Sequence, residues 1–123
     1  MLLLDTSFLV EYETEIVRNL IGPARSLLRS RPLEPVAISI ITVGEFAEGF
    51  ENPQDVEAFL SRFRTIPLSR SIAYKTAAMQ ASLGQRLGEN DAWIAATALT
   101  YNAQLVCRER AFKRVPRLKY IAI

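Results

Sequence analysis

The chain alternates short apolar runs with longer stretches in which apolar residues recur at helical spacing. The first run covers residues 2–4 and is stopped by a polar triplet, Asp5-Thr6-Ser7. A continuous apolar run of this length is typical of a strand buried on both faces of a sheet. The same pattern predicts further short strands at 36–39, 66–68, 104–106 and 119–121.

Helices are predicted between these strands. Their expected ranges are 7–18, 23–30, one beginning at 42, one beginning at 53, 72–87 and 92–101. Gly22-Pro23 and Asn52-Pro53 each mark a helix start, because proline fits the first helical position, where no backbone donor is needed. Short strands alternating with longer helices predict an α/β protein with a mainly parallel central sheet.

Composition limits the chemistry that this chain can perform. Its 123 residues, half of them hydrophobic, predict one globular domain over 1–123. There is no histidine, which excludes Ser-His-Asp and Cys-His catalysis and histidine-rich zinc sites. Cys107 is the single cysteine, so we expect a reducing, cytoplasmic location. The sequence lacks a signal-peptide pattern, and no apolar run approaches the roughly 20 residues of a membrane helix, so no membrane partner is expected.

Three acidic residues, Asp5, Glu45 and Asp91, lie at or near predicted helix starts. Each has a plausible capping role: Asp5 for the first helix, Glu45 in a capping box with Thr42, and Asp91 behind an Asn90 cap. Ligand sites of α/β proteins form where strands end and helices begin. We therefore predict that the three carboxylates form one cluster that binds Mg²⁺ or Mn²⁺ and supports phosphodiester hydrolysis by metal-activated water.

The order and spacing of four segments carry a family resemblance. They are residues 3–7 (LLDTS), 39–45 (SIITVGE) with Gly49, 90–98 (NDAWIAATA) and 105–112 (LVCRERAF). Over essentially the whole chain the sequence resembles PIN-domain ribonucleases, specifically VapC-type toxins of bacterial toxin–antitoxin pairs. The resemblance implies a PIN-like three-layer sandwich, RNA as substrate, a homodimer and a cognate antitoxin protein as partner.

The resemblance also implies roles for individual residues. Asp5, Glu45 and Asp91 correspond to the metal-binding acids, and Ser7, Thr6 and Cys107 to polar or small supporting residues beside them. A fourth acid is expected at Glu109. Family members usually have Thr or Ser, followed two positions later by Asp or Asn, where this chain has Cys107 and Glu109. Ala111 stands where an acid or a histidine is common.

A basic segment follows the last of these motifs. Its members nearest to Glu109 are Arg108, Arg110, Lys113 and Arg114. They are predicted to form a phosphate-binding rim for RNA, because arginine is the natural fork for phosphate oxygens. A solvated basic face is the equally acceptable alternative.

Two other classes of protein remain as alternatives. The departures at Cys107 and Glu109 are compatible with a catalytically impaired PIN-like module that binds RNA or regulates. A phosphoacceptor signalling domain also gathers acids at strand ends, but it needs an acceptor Asp after a central strand and a Lys after a late strand. Asp55 lies in a helical pattern and Arg108 follows the strand at 104–106, so this second alternative is disfavoured.

Overall fold

The computed structural model describes residues 1–108 and 110–123. In this part of the chain, five strands form one sheet in the order β3-β2-β1-β4-β5, with every neighbouring pair parallel. The strands are β1 (Leu2–Leu4), β2 (Val36–Ser39), β3 (Arg64–Ile66), β4 (Gln104–Cys107) and β5 (Tyr120–Ala122). The predicted parallel sheet is confirmed.

Six α-helices connect the described strands, together with a short 3₁₀ helix over Arg110–Arg114. They are α1 (Thr6–Val17), α2 (Pro23–Ser30), α3 (Ile40–Ala47), α4 (Pro53–Leu60), α5 (Arg70–Ser82) and α6 (Glu89–Thr100). Within the described residues, no helix has the length and apolar character needed to cross a membrane.

The two faces of the sheet are covered by different helices. Leu3 points into a core cluster with side chains of α5 and α6. Leu2 and Leu4 point into a second cluster, with side chains of α1, α2 and α4. This alternation arises because successive side chains of a strand face opposite ways. All three leucines are fully buried, and the predicted three-layer α/β sandwich is confirmed.

The direction in which successive strands are added to the sheet reverses at β1. From β1 the chain moves outward through β2 and β3, and it then returns to the other side of β1 with β4. Open parallel sheets bind ligands at the carboxyl ends of the strands beside such a reversal. Asp5 directly follows β1, and its backbone N–H donates to Val106 O of β4 at 3.0 Å. The first predicted acid therefore lies at the reversal.

Two predicted helix starts differ in the structure. The expected capping box between Thr42 and Glu45 is wrong: Ser39 caps α3, accepting from the backbone N–H of Ile41, and Thr42 lies inside the helix. The Asn90 cap is also wrong, because the N-cap position is occupied by Gly88, two residues earlier, and α6 begins at Glu89. The side chains of Glu45 and Asn90 are therefore left for other contacts.

Two element boundaries also differ. The third strand ends at Ile66 instead of beginning there, because Ile66 pairs with Ser39, the last residue of β2, and Pro67 has no N–H to extend the ladder. Helix α5 ends at Ser82 and not near residue 87. Its side chain Gln80 bonds both the N–H and the carbonyl of Leu87, at 2.9 Å each, which folds the following segment back onto the helix.

Candidate active site

A cavity of about 220 Å³ lies where the first residues of α1 meet α3 and α6. The residues lining it are Asp5, Thr6, Ser7, Val10, Glu45, Asp91 and Ile94. The structure therefore brings the three predicted carboxylates to one cavity from three different segments of the chain. Thr6 and Ser7, predicted as supporting residues, lie beside them.

Asp5 is the most buried of the three acids, with only 3% of its surface exposed. Its Oδ1 accepts from the Ser7 hydroxyl at 2.7 Å and from the backbone N–H of Phe8 at 2.9 Å. The second of these contacts is an N-cap of α1, so the capping alternative considered for Asp5 is correct. Because capping uses one oxygen and leaves the carboxylate on the cavity wall, it does not compete with a role in the site.

Glu45 is held from both sides by side chains of other helices. Its Oε1 accepts from the Thr6 hydroxyl at 2.5 Å, and its Oε2 accepts from the amide Nδ2 of Asn90 at 3.2 Å. These two donors replace the predicted capping box. Thr42 is buried, and its hydroxyl has no hydrogen-bond partner among the described residues. The contacts orient the Glu45 carboxylate toward the cavity and link α3 to α1 and α6.

Asp91 lies in the first turn of α6 and is partly buried. Together with Glu45 it also lines a second cavity of about 360 Å³, whose other lining residues are Gly88, Glu89 and Asn90. The positive end of the helix dipole favours a carboxylate at this position. Asp91 and Glu45 thus line both cavities.

Ser7 connects the carboxylates to the end of β4. Its hydroxyl donates to Asp5 and accepts from the backbone N–H of Arg108 at 3.0 Å. The Arg108 guanidinium pairs with Glu11 on α1, with Nη1 2.9 Å from Oε2. The segment after β4 is therefore attached to the start of α1 by one backbone and one side-chain contact.

The remaining basic residues of the predicted rim differ in their surroundings. The Arg114 guanidinium donates to the backbone carbonyls of Gln85 and Arg86, so it supports the segment before α6. Arg110 and Lys113 are exposed on the 3₁₀ helix. Of this set, Arg108 alone is placed by described contacts next to Ser7 and the carboxylates.

The fourth acid of the prediction, Glu109, lies outside the described residues, as does the side chain of Ala111. Cys107 is fully buried and packs in the core cluster between the sheet and helices α5 and α6. Its thiol therefore contributes to core packing behind the strand end.

The donor set suits a hard divalent cation, because every side-chain ligand on offer is a carboxylate or hydroxyl oxygen. Within residues 1–108 and 110–123, no three acidic or cysteine side chains converge tightly enough to form a ready-made metal-binding group. Mg²⁺ is commonly held by one or two carboxylates, with waters and substrate phosphates completing its shell. Asp5, Glu45 and Asp91, which share one cavity, fit an ion bound in this way.

Sequence reasoning missed three contributors to this region. Asn90 was assigned to capping, yet its amide reaches Glu45. Val10 and Ile94 form the apolar part of the cavity wall, and Val10 remains 54% exposed. Their helical spacing offered a signal: Val10 follows Thr6 by four residues, and Ile94 follows Asn90 by four, so each lies one turn beyond a polar residue of the site.

The chain as a whole matches a known family of proteins. A model of the PIN domain family matches residues 2–118. This match spans nearly the entire sequence, so the chain belongs to the PIN domain family. Comparison with curated protein sequences gives no match.

Several solved structures are similar over almost their whole length. A complex described as VapBC2 from Rickettsia felis, bound to a DNA fragment from their promoter, is 25% identical with a TM-score of 0.82, covering 99% of this chain and 98% of that chain. A toxin–antitoxin complex from Klebsiella pneumoniae is 28% identical with a TM-score of 0.74, covering 94% and 93%. A DNA-bound VapBC from Salmonella typhimurium is 26% identical with a TM-score of 0.74, covering 98% and 96%. The predicted resemblance to PIN domains of VapBC systems is confirmed.

Proposed function

We propose that this chain is the toxin of a toxin–antitoxin pair and acts as a metal-dependent endoribonuclease. The observation that carries the proposal is the meeting of Asp5, Glu45 and Asp91 on one cavity at the reversal of a parallel sheet. The PIN family membership and the toxin–antitoxin complexes among the similar structures support it. A cognate antitoxin, a homodimeric state and a cytoplasmic location belong to the same proposal.

Asp5, Glu45 and Asp91 would hold Mg²⁺ or Mn²⁺, with Glu109 as a proposed fourth ligand. When bound, the ion would lower the pKa of a coordinated water and offset charge on the phosphate oxygens. Thr6 and Asn90 keep the Glu45 carboxylate facing the cavity. Such preorganised side chains need no rearrangement as the substrate phosphate arrives, which lowers the cost of reaching the transition state.

Ser7 has a positioning role in this scheme. Its hydroxyl fixes Asp5 Oδ1 and at the same time holds the backbone of Arg108. Through this contact Ser7 places a basic residue at the edge of a site that is otherwise acidic. The Arg108 guanidinium also pairs with Glu11, and it keeps further N–H donors for a phosphate oxygen of the substrate.

The test is cleavage of a labelled single-stranded RNA by the purified chain in the presence of Mn²⁺. We expect Asp91→Asn and Asp5→Asn each to lower the rate by at least about 100-fold, because each removes a charged ligand worth several kcal/mol in the transition state. Asn keeps the helix-capping ability at position 5, so the fold is retained. Asp55→Asn, at an exposed acid in the first turn of α4, is the matched control and keeps the parental rate.

Removal of metal provides the second arm. EDTA is expected to stop cleavage, and Mg²⁺ or Mn²⁺ in excess to restore it. Parental rates in the Asp91→Asn variant would refute the assignment of the site, and activity that persists in EDTA would refute the metal mechanism.

A non-catalytic PIN-like module that binds RNA is the second candidate. The replacement of the Thr or Ser and the Asp or Asn that are usual in the family by Cys107 and Glu109 favours it. It predicts that the purified chain binds single-stranded RNA but leaves it intact in Mn²⁺. Calorimetric titration with Mn²⁺ separates the two, because the nuclease binds the ion and loses this binding in Asp91→Asn.

A further inference from the structure

A basic cleft that the proposed active site does not use lies between α1 and α2. It has a volume of about 250 Å³ and is lined by Tyr12, Arg25, Leu28 and Arg29. Arg62, which follows α4, contacts the same tyrosine, with Nη1 3.2 Å from the Tyr12 hydroxyl. Two arginines therefore line the cleft together with Tyr12, and a third one contacts the Tyr12 hydroxyl.

The polar side chains of this cleft are prepared to donate hydrogen bonds. Arg25 donates through Nη1 to the Leu20 carbonyl at 2.8 Å, and this bond fixes its guanidinium. The bond uses one of the roughly five N–H donors of the guanidinium group. The Tyr12 hydroxyl accepts from Arg62, so its own hydrogen is available for another acceptor. The hydrogen-bonding groups that these side chains still offer to a ligand are donors, and such a set of donors suits an anion.

The guanidinium groups of Arg25, Arg29 and Arg62 form no ion pair within the described residues 1–108 and 110–123. Glu15 is a buried acid on the same helix as Tyr12. Its oxygens accept from the backbone N–H groups of Gly22, Ala24 and Arg25. That carboxylate is occupied by the start of α2 and does not pair with the guanidinium groups.

We propose that this cleft binds a backbone phosphate of single-stranded RNA at some distance from the bond that is cut. The proposal rests on the ribonuclease function above. Arginine forks match the oxygens of a phosphate in a bidentate manner. Tyr12 lies seven residues beyond Asp5 on α1, which is roughly 10 Å along the helix axis. A strand leaving the carboxylate site therefore reaches the cleft within a few nucleotides.

A phosphate fits the cleft better than a stacked base does. The Tyr12 ring is packed in an aromatic cluster, with centroid distances of 6.0 Å to Phe8, 5.8 Å to Phe59 and 6.1 Å to Phe63. The ring is therefore engaged in the protein interior, while its hydroxyl remains at the cleft. Recognition through donors alone predicts binding that is independent of base sequence and sensitive to salt.

The test measures the affinity for a fluorescein-labelled oligouridylate of about twelve nucleotides, by anisotropy in EDTA, so that no cleavage is required. Arg29→Glu is expected to weaken binding about tenfold near 50 mM salt and to reduce the slope of log K against log salt by about 0.7, the loss of one phosphate contact to a single strand. Tyr12→Phe, which removes only the hydroxyl, weakens it about fivefold.

Arg70→Glu is the matched control, since Arg70 is exposed at the start of α5 and the net charge changes equally. It should alter the affinity by no more than about twofold. Equal losses in Arg29→Glu and Arg70→Glu, or a parental chain that does not bind the oligouridylate, would overturn the proposal. The proposal would also be overturned if the Arg29→Glu variant kept its affinity for RNA but lost its affinity for the antitoxin. The cleft would then be a protein-binding site. Because binding is read without metal, a failure of catalysis leaves this result readable.

Discussion

Glu15 is a buried carboxylate that joins the end of α1 to the beginning of α2. Only 3% of its surface is exposed, and its oxygens accept three backbone N–H bonds: from Gly22 at 3.0 Å, Ala24 at 2.9 Å and Arg25 at 2.8 Å. Gly22 has no side chain with which to cap α2. Glu15 therefore supplies, from another helix, the acceptors that the first turn of α2 needs.

Replacing Glu15 by Ala would leave these three donors without their acceptor. A typical hydrogen bond contributes about 1 kcal/mol net, and one to a charged group contributes about 1.5–3 kcal/mol. Water can reach the partly buried N–H groups of Gly22 and Arg25, but the Ala24 donor is buried. We therefore expect the free energy of unfolding to fall by about 3 kcal/mol, within the roughly 5–15 kcal/mol that a domain of this kind possesses.

Urea unfolding followed by the fluorescence of Trp93, the single tryptophan, measures this change. With a slope of about 1–3 kcal/mol per molar urea, the midpoint should fall by roughly 1–3 M. Glu13→Ala is the control, because Glu13 lies on the same helix and is less buried. Glu15→Gln keeps one acceptor oxygen and should lose about half as much stability. A Glu15→Ala midpoint equal to that of Glu13→Ala would refute this account of the α1–α2 connection.

Two further predictions concern the same contacts and the site. Gly22→Ala is expected to cost about 1–3 kcal/mol of stability, measured by the same urea titration, because the new Cβ would lie 2.7 Å from Glu15 Oε2; a neutral result would mean that this carboxylate can move aside. Thr6→Val, which removes the donor to Glu45, should reduce RNA cleavage by about tenfold with little change in KM, whereas Thr6→Ser keeps the hydroxyl and should stay close to the parent. Equal activity of the two Thr6 variants would contradict the positioning role of this hydrogen bond.

Strand β1 could be predicted well because it is a short, continuous apolar run, whereas β3 begins with two exposed polar residues and overlaps the predicted strand at Ile66 alone. Leu2–Leu4 is fully buried, as expected of a strand inside a parallel sheet with both faces covered. The boundary errors arose where local signals competed. Pro67 was included in the third strand, although pairing with β2 ends one residue earlier. The fifth helix was predicted to continue beyond Ser82, although the hydrogen bonds of Gln80 to Leu87 fold that segment back.

The sequence named Asp5, Glu45 and Asp91 as candidate site residues, and the structure brings them to one cavity, but their contacts were not predicted. Asp5 shows that one carboxylate can cap a helix and line a cavity at once, so a capping role and a functional role do not exclude each other. The partners of Glu45 could not be predicted, because Thr6 and Asn90 lie 39 and 45 residues away along the chain. Local pattern therefore favoured the nearest partner, Thr42, and that assignment was wrong.

By itself, the sequence determined the α/β class and the exclusion of histidine chemistry, and it named Asp5, Glu45 and Asp91 as candidate acids, since these follow from residue type and local spacing. The tertiary structure alone decided that the strand order reverses at β1, which brings Asp5, Glu45 and Asp91 to one cavity. It also decided that Arg25 and Arg29 share a cleft with Tyr12. Contacts of this kind depend on how helices pack against a sheet. They join residues that are far apart in sequence, so local patterns do not predict them.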